Sequence, residues 1–254
     1  MNQPERPPIP TIRDVARTAG VSLGTVSRVL NHQEPVKPAI RAKVEAAIKA
    51  LGIPVVLVER AMPAWAHAVM VDHAAAIKQA TAHLLKLGHR RIALLTGSPD
   101  LFPAHDRIRG YEAAHIAAGV ALDPARLRKE SFLVDYGYSQ TALLMRAKRP
   151  PTAIIAGGID MLPGILRALR ERGLKLPHDV PLVAASDADL AQLSEPAISV
   201  ERWDYASMGK VAAKLALDAI AAAPTKSRAA KPKRVVVPAG FLPRAPCAAP
   251  RAWH

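Results

Sequence analysis

The sequence predicts an all-α three-helix headpiece followed by an α/β parallel-sheet domain, and three observations predict it. Residues 11–52 hold three short segments whose apolar residues recur at helical spacing. From Ile53 onward, short apolar runs alternate with amphipathic segments, the pattern of a parallel sheet with helical crossovers. Half of the 254 residues are apolar and only 4% are aromatic, so a sizeable core has to be built from Ala, Val, Ile and Leu.

The first predicted helix starts at Thr11, where Thr11-Ile12-Arg13-Asp14 fits a capping box with Thr11 as N-cap. Ile12, Val15, Ala16 and Ala19 share one face, and Gly20 offers the flexible backbone at which a short helix stops. Ser22 is the N-cap expected for a second helix running to about Leu30. Thr25, Val26, Val29 and Leu30 lie on its packing side, while Leu23, Gly24, Ser27, Arg28 and Asn31 lie opposite. A surface helix with small and hydrogen-bonding residues outward fits a major groove about 12 Å wide, and Arg28 is placed to reach a base edge or a phosphate. The third helix is expected from Pro38, where a missing N–H costs nothing, to Leu51, with Ile40, Val44, Ala47, Ile48 and Leu51 inward.

Strands are predicted at Val55–Val58, Val69–Val71, Ile92–Thr96, Phe132–Val134, Ala153–Ala156, Leu182–Ala185 and Val235–Val237. Helices are predicted at Ala74–Leu87, Ile108–Ala118, Ser139–Ala147, Leu162–Arg172 and Ala206–Ala222.

Lys and Arg outnumber Asp and Glu by 35 to 21, a net of +14, which suits a phosphate-rich partner through counterion release. The excess is uneven: from Pro224 onward every charged residue is basic. Cys247 is the only cysteine, which excludes an intramolecular disulfide and argues against a thiolate metal site. There is no phosphate-loop pattern, no Gly-x-Ser-x-Gly elbow and no His-Glu-x-x-His, so no enzyme, cofactor or metal is expected. His83 and His89 flank a predicted helix end, where a capping or surface role is expected. No run approaches a membrane span and residues 1–8 lack a signal-peptide core, so a cytoplasmic protein is expected.

The ungapped stretch from Thr11 to Asn31, and above all Thr25-Val26-Ser27-Arg28-Val29-Leu30-Asn31, closely resembles the headpiece of the lactose-repressor (LacI/GalR) family. The resemblance implies base-facing positions for Leu23, Gly24 and Arg28. It places Thr11, Ser22, Thr25, Ser27 and Asn31 at or near phosphates, with Lys37 at the start of the third helix nearby. It continues in His83-Leu84-Leu85-Lys86-Leu87-Gly88-His89-Arg90-Arg91-Ile92-Ala93, in Arg107-Ile108-Arg109-Gly110-Tyr111 and in Met208-Gly209, which look like the family's two-lobed, periplasmic-binding-protein-like effector domain. Four parts are implied: a Pro-rich leader (1–10), a helix-turn-helix domain (11–52), an effector and dimerisation domain (53–244) and a tail (245–254).

The departures are as informative. Leu51-Gly52 runs straight into Ile53-Pro54-Val55-Val56, so the family's hinge helix and the opening strands of its first lobe have no counterpart. Gly158-Ile159 stands where relatives often carry Asn-Asp, and Ser186-Asp187 where they often carry paired aspartates. Arg107 and Asp187 are the effector-contact positions left, which argues against a tightly held sugar. The expectation is therefore a transcriptional regulator, a repressor, bound as a homodimer to a duplex DNA operator, with a weak or absent response to a sugar-like effector. The competing expectation is a degenerate chain, or a ligand- or partner-binding module, whose headpiece is vestigial.

Overall fold

The structure is a computed structural model that describes residues 10–31, 36–60, 65–222, 231–244 and 249–250. Residues 10–56 begin with three helices, α1 (Ile12–Ala19), α2 (Leu23–Asn31) and α3 (Pro38–Ala50). Strands β1 (Val56–Val58) and β2 (His67–Val71) follow, then α4 (His73–Lys86), β3 (Ile92–Gly97), α5 (Phe102–Ala117), β4 (Leu127–Glu130) and α6 (Val134–Leu144). The chain goes on through β5 (Ala153–Ala156), α7 (Leu162–Arg170), β6 (Leu182–Ala185), α8 (Asp189–Gln192), β7 (Ser199–Trp203) and α9 (Tyr205–Ala222) to β8 (Arg234–Val237) and β9 (Ala239–Leu242).

The chain packs as two units. One gathers the three N-terminal helices, residues 65–67 and the stretches 213–222 and 231–233. Its core is Val15, Ala16 and Ala19 of α1, Val26 and Val29 of α2, and Val44, Ala47 and Ile48 of α3. Val21, Leu51, Ile53, Val55 and Trp65 pack around that cluster. Four expected members of the packing faces stand outside it, the half-buried Thr25 among them. Ile12 and Leu30 are exposed, at 42% and 45%, and Ile40 is half-buried. Helices this short present only two or three positions fully to a shared centre, so residues at the margin of a 100° stripe stay at the rim.

The other unit holds two sheets. The larger has the order β4-β3-β5-β6-β7-β9, parallel throughout except for β9, which runs antiparallel to β7. The smaller has the order β1-β2-β8, with β2 and β8 parallel in register Val69↔Val235. The central strands are apolar on both faces because both are covered. Ile92, Leu94, Ile155 and Val183 point to α4 and α5, while Leu95, Ile154, Ala156, Leu182 and Ala184 point to α6 and α7. Since α5 and α6 lie on opposite faces, the chain reverses its direction across the sheet between β3 and β5. In parallel sheets such a switch point, at the carboxyl ends of the strands, is where ligands bind.

Helix α4 is capped twice. Asp72 accepts from the Ala75 N–H at 2.9 Å, and Asp106 of α5 accepts from the Ala74 N–H at 2.9 Å. Among the described residues no helix is long and apolar enough to cross a membrane.

Several expected elements shift. Phe132–Val134 is not a strand: Leu133 caps α6, its N–H bonded to the Ser131 hydroxyl at 3.1 Å, and the strand at this edge is the charged run Leu127–Glu130. An edge strand buries little, so it carries no apolar alternation to read. Helix α5 begins at Phe102 rather than Ile108, because Asp106 and Arg107 are buried where a periodicity argument expects solvent. Helix α6 begins at Val134 rather than Ser139. Gly137 sits inside it as a close-contact residue, since a Cβ there would lie 2.5 Å from the Met161 carbonyl oxygen. His89 is buried rather than on the surface, its Nδ1 2.9 Å from the Thr152 hydroxyl.

Candidate functional site

The headpiece site is set by two caps. At the first, the Thr11 N–H and the Thr11 hydroxyl both reach Asp14 Oδ2 at 2.8 Å, while the Asp14 N–H bonds back to the Thr11 carbonyl at 3.0 Å. Those two bonds from Thr11, backbone first, and then the charge of Arg17 hold the Asp14 carboxyl below its usual pKa. Helix α1 stops at Gly20, whose φ of 65° is left-handed and whose turn lets the Val21 N–H bond to Ala16. At the second cap, the Ser22 hydroxyl accepts from the Thr25 N–H at 3.1 Å and meets the Thr25 hydroxyl at 2.9 Å.

These caps fix which side of α2 faces out. Val26 and Val29 are buried at 0% and 4%, and their burial turns Leu23, Gly24 and Arg28 to solvent. Thr25 and Ser27 are half-buried beside them, Thr11, Ser22 and Lys37 are exposed, and the side chain of Asn31 lies outside the described residues. The Arg28 guanidinium folds along its own helix, with Nε 3.3 Å from the Gly24 carbonyl and Nη2 3.4 Å from the Thr25 hydroxyl. Both of these bonds are long and exposed. Lys37 is the N-cap of α3.

The second candidate site lies at the carboxyl edge of the six-stranded sheet. Gly97 closes β3 and Gly157-Gly158 follow β5. The Phe132 ring is wedged between them: a Cβ on Gly97 would come within 2.4 Å of it, and one on Gly158 within 2.4 Å from the other side. Phe132 belongs to this site although its apolar neighbours suggest a strand.

Arg107 and Asp187, the two expected effector contacts, are both on this edge and both occupied. Arg107 is 5% exposed and donates from Nε to Glu201 Oε2 at 2.9 Å. Asp187 pairs with Arg244 and lies 4.0 Å from Arg202. Just before it, Ser186 adopts a φ of 101°, strained for a residue with a Cβ, and its hydroxyl meets that of Tyr205 at 2.5 Å. His73, Glu59 and Glu201, which no motif pointed to, complete an ion cluster around Arg107. Among the described residues no three His, Cys, Asp or Glu side chains are grouped so as to hold a metal.

Comparison with known proteins bears on both sites. Residues 11–53 match the model of the bacterial regulatory proteins of the lacI family, and residues 81–247 match that of the periplasmic binding protein-like domain. The chain is 32% identical over 152 residues to the HTH-type transcriptional regulator CelR of Thermobifida fusca, covering 60% of this chain and 45% of the relative. It is 28% identical over 150 residues to the HTH-type transcriptional repressor CytR of Escherichia coli, covering 59% and 44%. The chain thus spans about half the length of the curated relatives it matches. In fold it resembles a LacI family transcriptional regulator from Enterococcus faecium crystallised with bound ribose. The TM-score is 0.72 at 24% identity, over 83% of this chain and 76% of that one.

Proposed function

Because the chain belongs to the periplasmic binding protein-like family and carries the helix-turn-helix of the lacI family of bacterial regulatory proteins, we propose that it is a cytoplasmic, non-catalytic transcriptional regulator. It acts as a repressor, and two copies dock their headpieces on a pseudo-palindromic duplex operator. The observation that carries this reading is the sidedness of α2: Val26 and Val29 are held in the core while Leu23, Gly24 and Arg28 face out.

Arg28 is the principal base reader. Leu23 supplies an apolar contact, and Gly24 supplies only backbone, so fewer bases are read than a larger side chain there would allow. Thr11, Ser22, Thr25, Ser27, Asn31 and Lys37 set the register on the phosphates. Half-sites about 34–36 Å apart fit a two-fold pair of such headpieces.

The test is a salt-titrated binding assay on an operator selected from a pool of duplexes. Arg28→Ala is expected to lose about 1–3 kcal/mol of discrimination between operator and random duplex. Lys37→Ala is expected to weaken binding to both alike and to flatten the salt slope by about one. If Arg28→Ala left affinity and selectivity untouched, the proposed reader would be wrong.

A sugar-like effector is disfavoured. It would have to break the ion pairs of Arg107 and Asp187 before it could use either. Titration calorimetry with ribose is expected to give no binding heat, and a clear heat without DNA retention would favour the competing ligand-binding module.

A further inference from the structure

Four ionisable side chains from four separate stretches of the chain meet beside the carboxyl edge of the larger sheet. Glu59 follows β1, His73 opens α4 directly after β2, Arg107 belongs to α5 and Glu201 to β7. The Glu201 side chain is wholly buried, and those of His73, Arg107 and Glu59 are 1%, 6% and 22% exposed. Each ring nitrogen of His73 is at hydrogen-bond distance from a carboxylate: Nδ1 from Glu201 Oε1, Nε2 from Glu59 Oε2. Glu59 also accepts the Val71 N–H at 2.6 Å through its other oxygen, and the Glu59 N–H bonds to the Val69 carbonyl at 3.0 Å. The cluster therefore spans the two sheets, with β1 and β2 on one side and β7 and α5 on the other.

A neutral imidazole has one N–H and one lone pair, so it can satisfy only one of two carboxylates and repels the other. An imidazolium donates to both. It also brings the four groups to zero net charge, the condition on which a buried cluster of charges is tolerable. We propose that protonated His73 is a latch tying the three-stranded sheet to the six-stranded one, and that loss of its proton releases β2 and the Glu59 segment from β7 and α5.

Burial works against the charged ring, but the hydrogen bonds to Glu201 and then Glu59 outweigh it and hold the His73 pKa above its ordinary value, while the Arg107 charge opposes them. Arg107 Nη2 lies 3.1 Å from Nδ1. Burial likewise works against Glu201 as a carboxylate, yet Arg107 and the His73 contact keep its pKa below the ordinary one. Other charges nearby are engaged elsewhere. Asp72 of α4 and Asp106 of α5 cap the first turn of α4, with Arg109 on Asp106 at 2.8 Å. On β7, Arg202 points to Asp187, and the Trp203 ring meets His73 edge-on at 5.3 Å without a charge. On β8, Arg234 lies over the Phe102 ring.

The sign follows from the raised pKa. The latch is fully set below the ordinary imidazole value of 6.5 and is lost as pH rises through the higher pKa of the folded protein. The test is amide hydrogen exchange on the full chain between pH 6 and 9, read as protection so that the intrinsic pH dependence cancels. Titration of the histidine ring signals by NMR accompanies it. Protection at Glu59, Val69 and Val71 is expected to fall about tenfold per pH unit between the ordinary and the raised His73 pKa. Protection in β3 and β5 should hold over the same range. Glu59→Gln should lower the His73 pKa and move the loss to lower pH, and His73→Gln should remove the pH slope. A His73 ring titrating at the ordinary value, a flat protection profile in the unmodified chain, or a slope that survives His73→Gln would each overturn the latch. The first two need no variant to fold.

Discussion

Glu201→Ala is expected to destabilise the larger unit by about 3–5 kcal/mol, since it leaves Arg107 buried against His73 with Glu59, on the far side of the ring, facing two cations. At about 2–4 °C per kcal/mol for a chain of this size, calorimetry at pH 6 should show Tm lower by roughly 10 °C. Glu201→Gln keeps the volume and one acceptor and should lose less, though it still strands a cation. A fall of under 1 kcal/mol in the alanine variant would mean that water reaches Arg107 freely. The headpiece shares no residue of this cluster, so the DNA binding proposed for it should persist per folded molecule in both variants.

Gly110→Ala carries the second large effect. A Cβ at Gly110 would lie 2.3 Å from the Ala74 carbonyl oxygen and 3.0 Å from its Cα and carbonyl carbon, so α4 and α5 would have to separate. Backbone cannot step aside as a side-chain tip can, and the loss should reach about 3 kcal/mol, the upper part of the usual cost of overpacking. Gly24→Ala is the control. Its Cβ would meet nothing nearer than Ser22 Oγ at 3.9 Å, and removing a helical glycine should add up to about 1 kcal/mol of stability. Equal melting shifts for the two variants would show that the α4–α5 contact is looser than the geometry states.

The headpiece was legible because its information is local. Thr11 and Asp14, Gly20, and Ser22 with Thr25 mark the helix ends within three residues of where they act. The doubly covered strands were legible too: Ala153–Ala156 and Leu182–Ala185 are found where their apolar runs lie. Strand β7 is not legible because its middle residue is Glu201, a charge in a buried position, and β4 because it lies at an edge. The ion cluster was illegible for the same reason. Glu59, His73, Arg107 and Glu201 are distant in sequence, and only the folded sheets bring them together. Arg107 and Asp187 are legible only through resemblance to a family. The partners that occupy them, Glu201 and Arg244, are long-range facts that no local pattern encodes.

Phe132 leaves a constraint on how this chain can drift over generations. A methyl on Gly97 would push the ring toward Gly158, and a methyl on Gly158 would push it back. Shrinking the ring would open a hole that neither glycine can fill. Descendants should therefore keep all three or exchange them together, so the trio behaves as one inherited character spread over 62 positions of sequence, from Gly97 to Gly158.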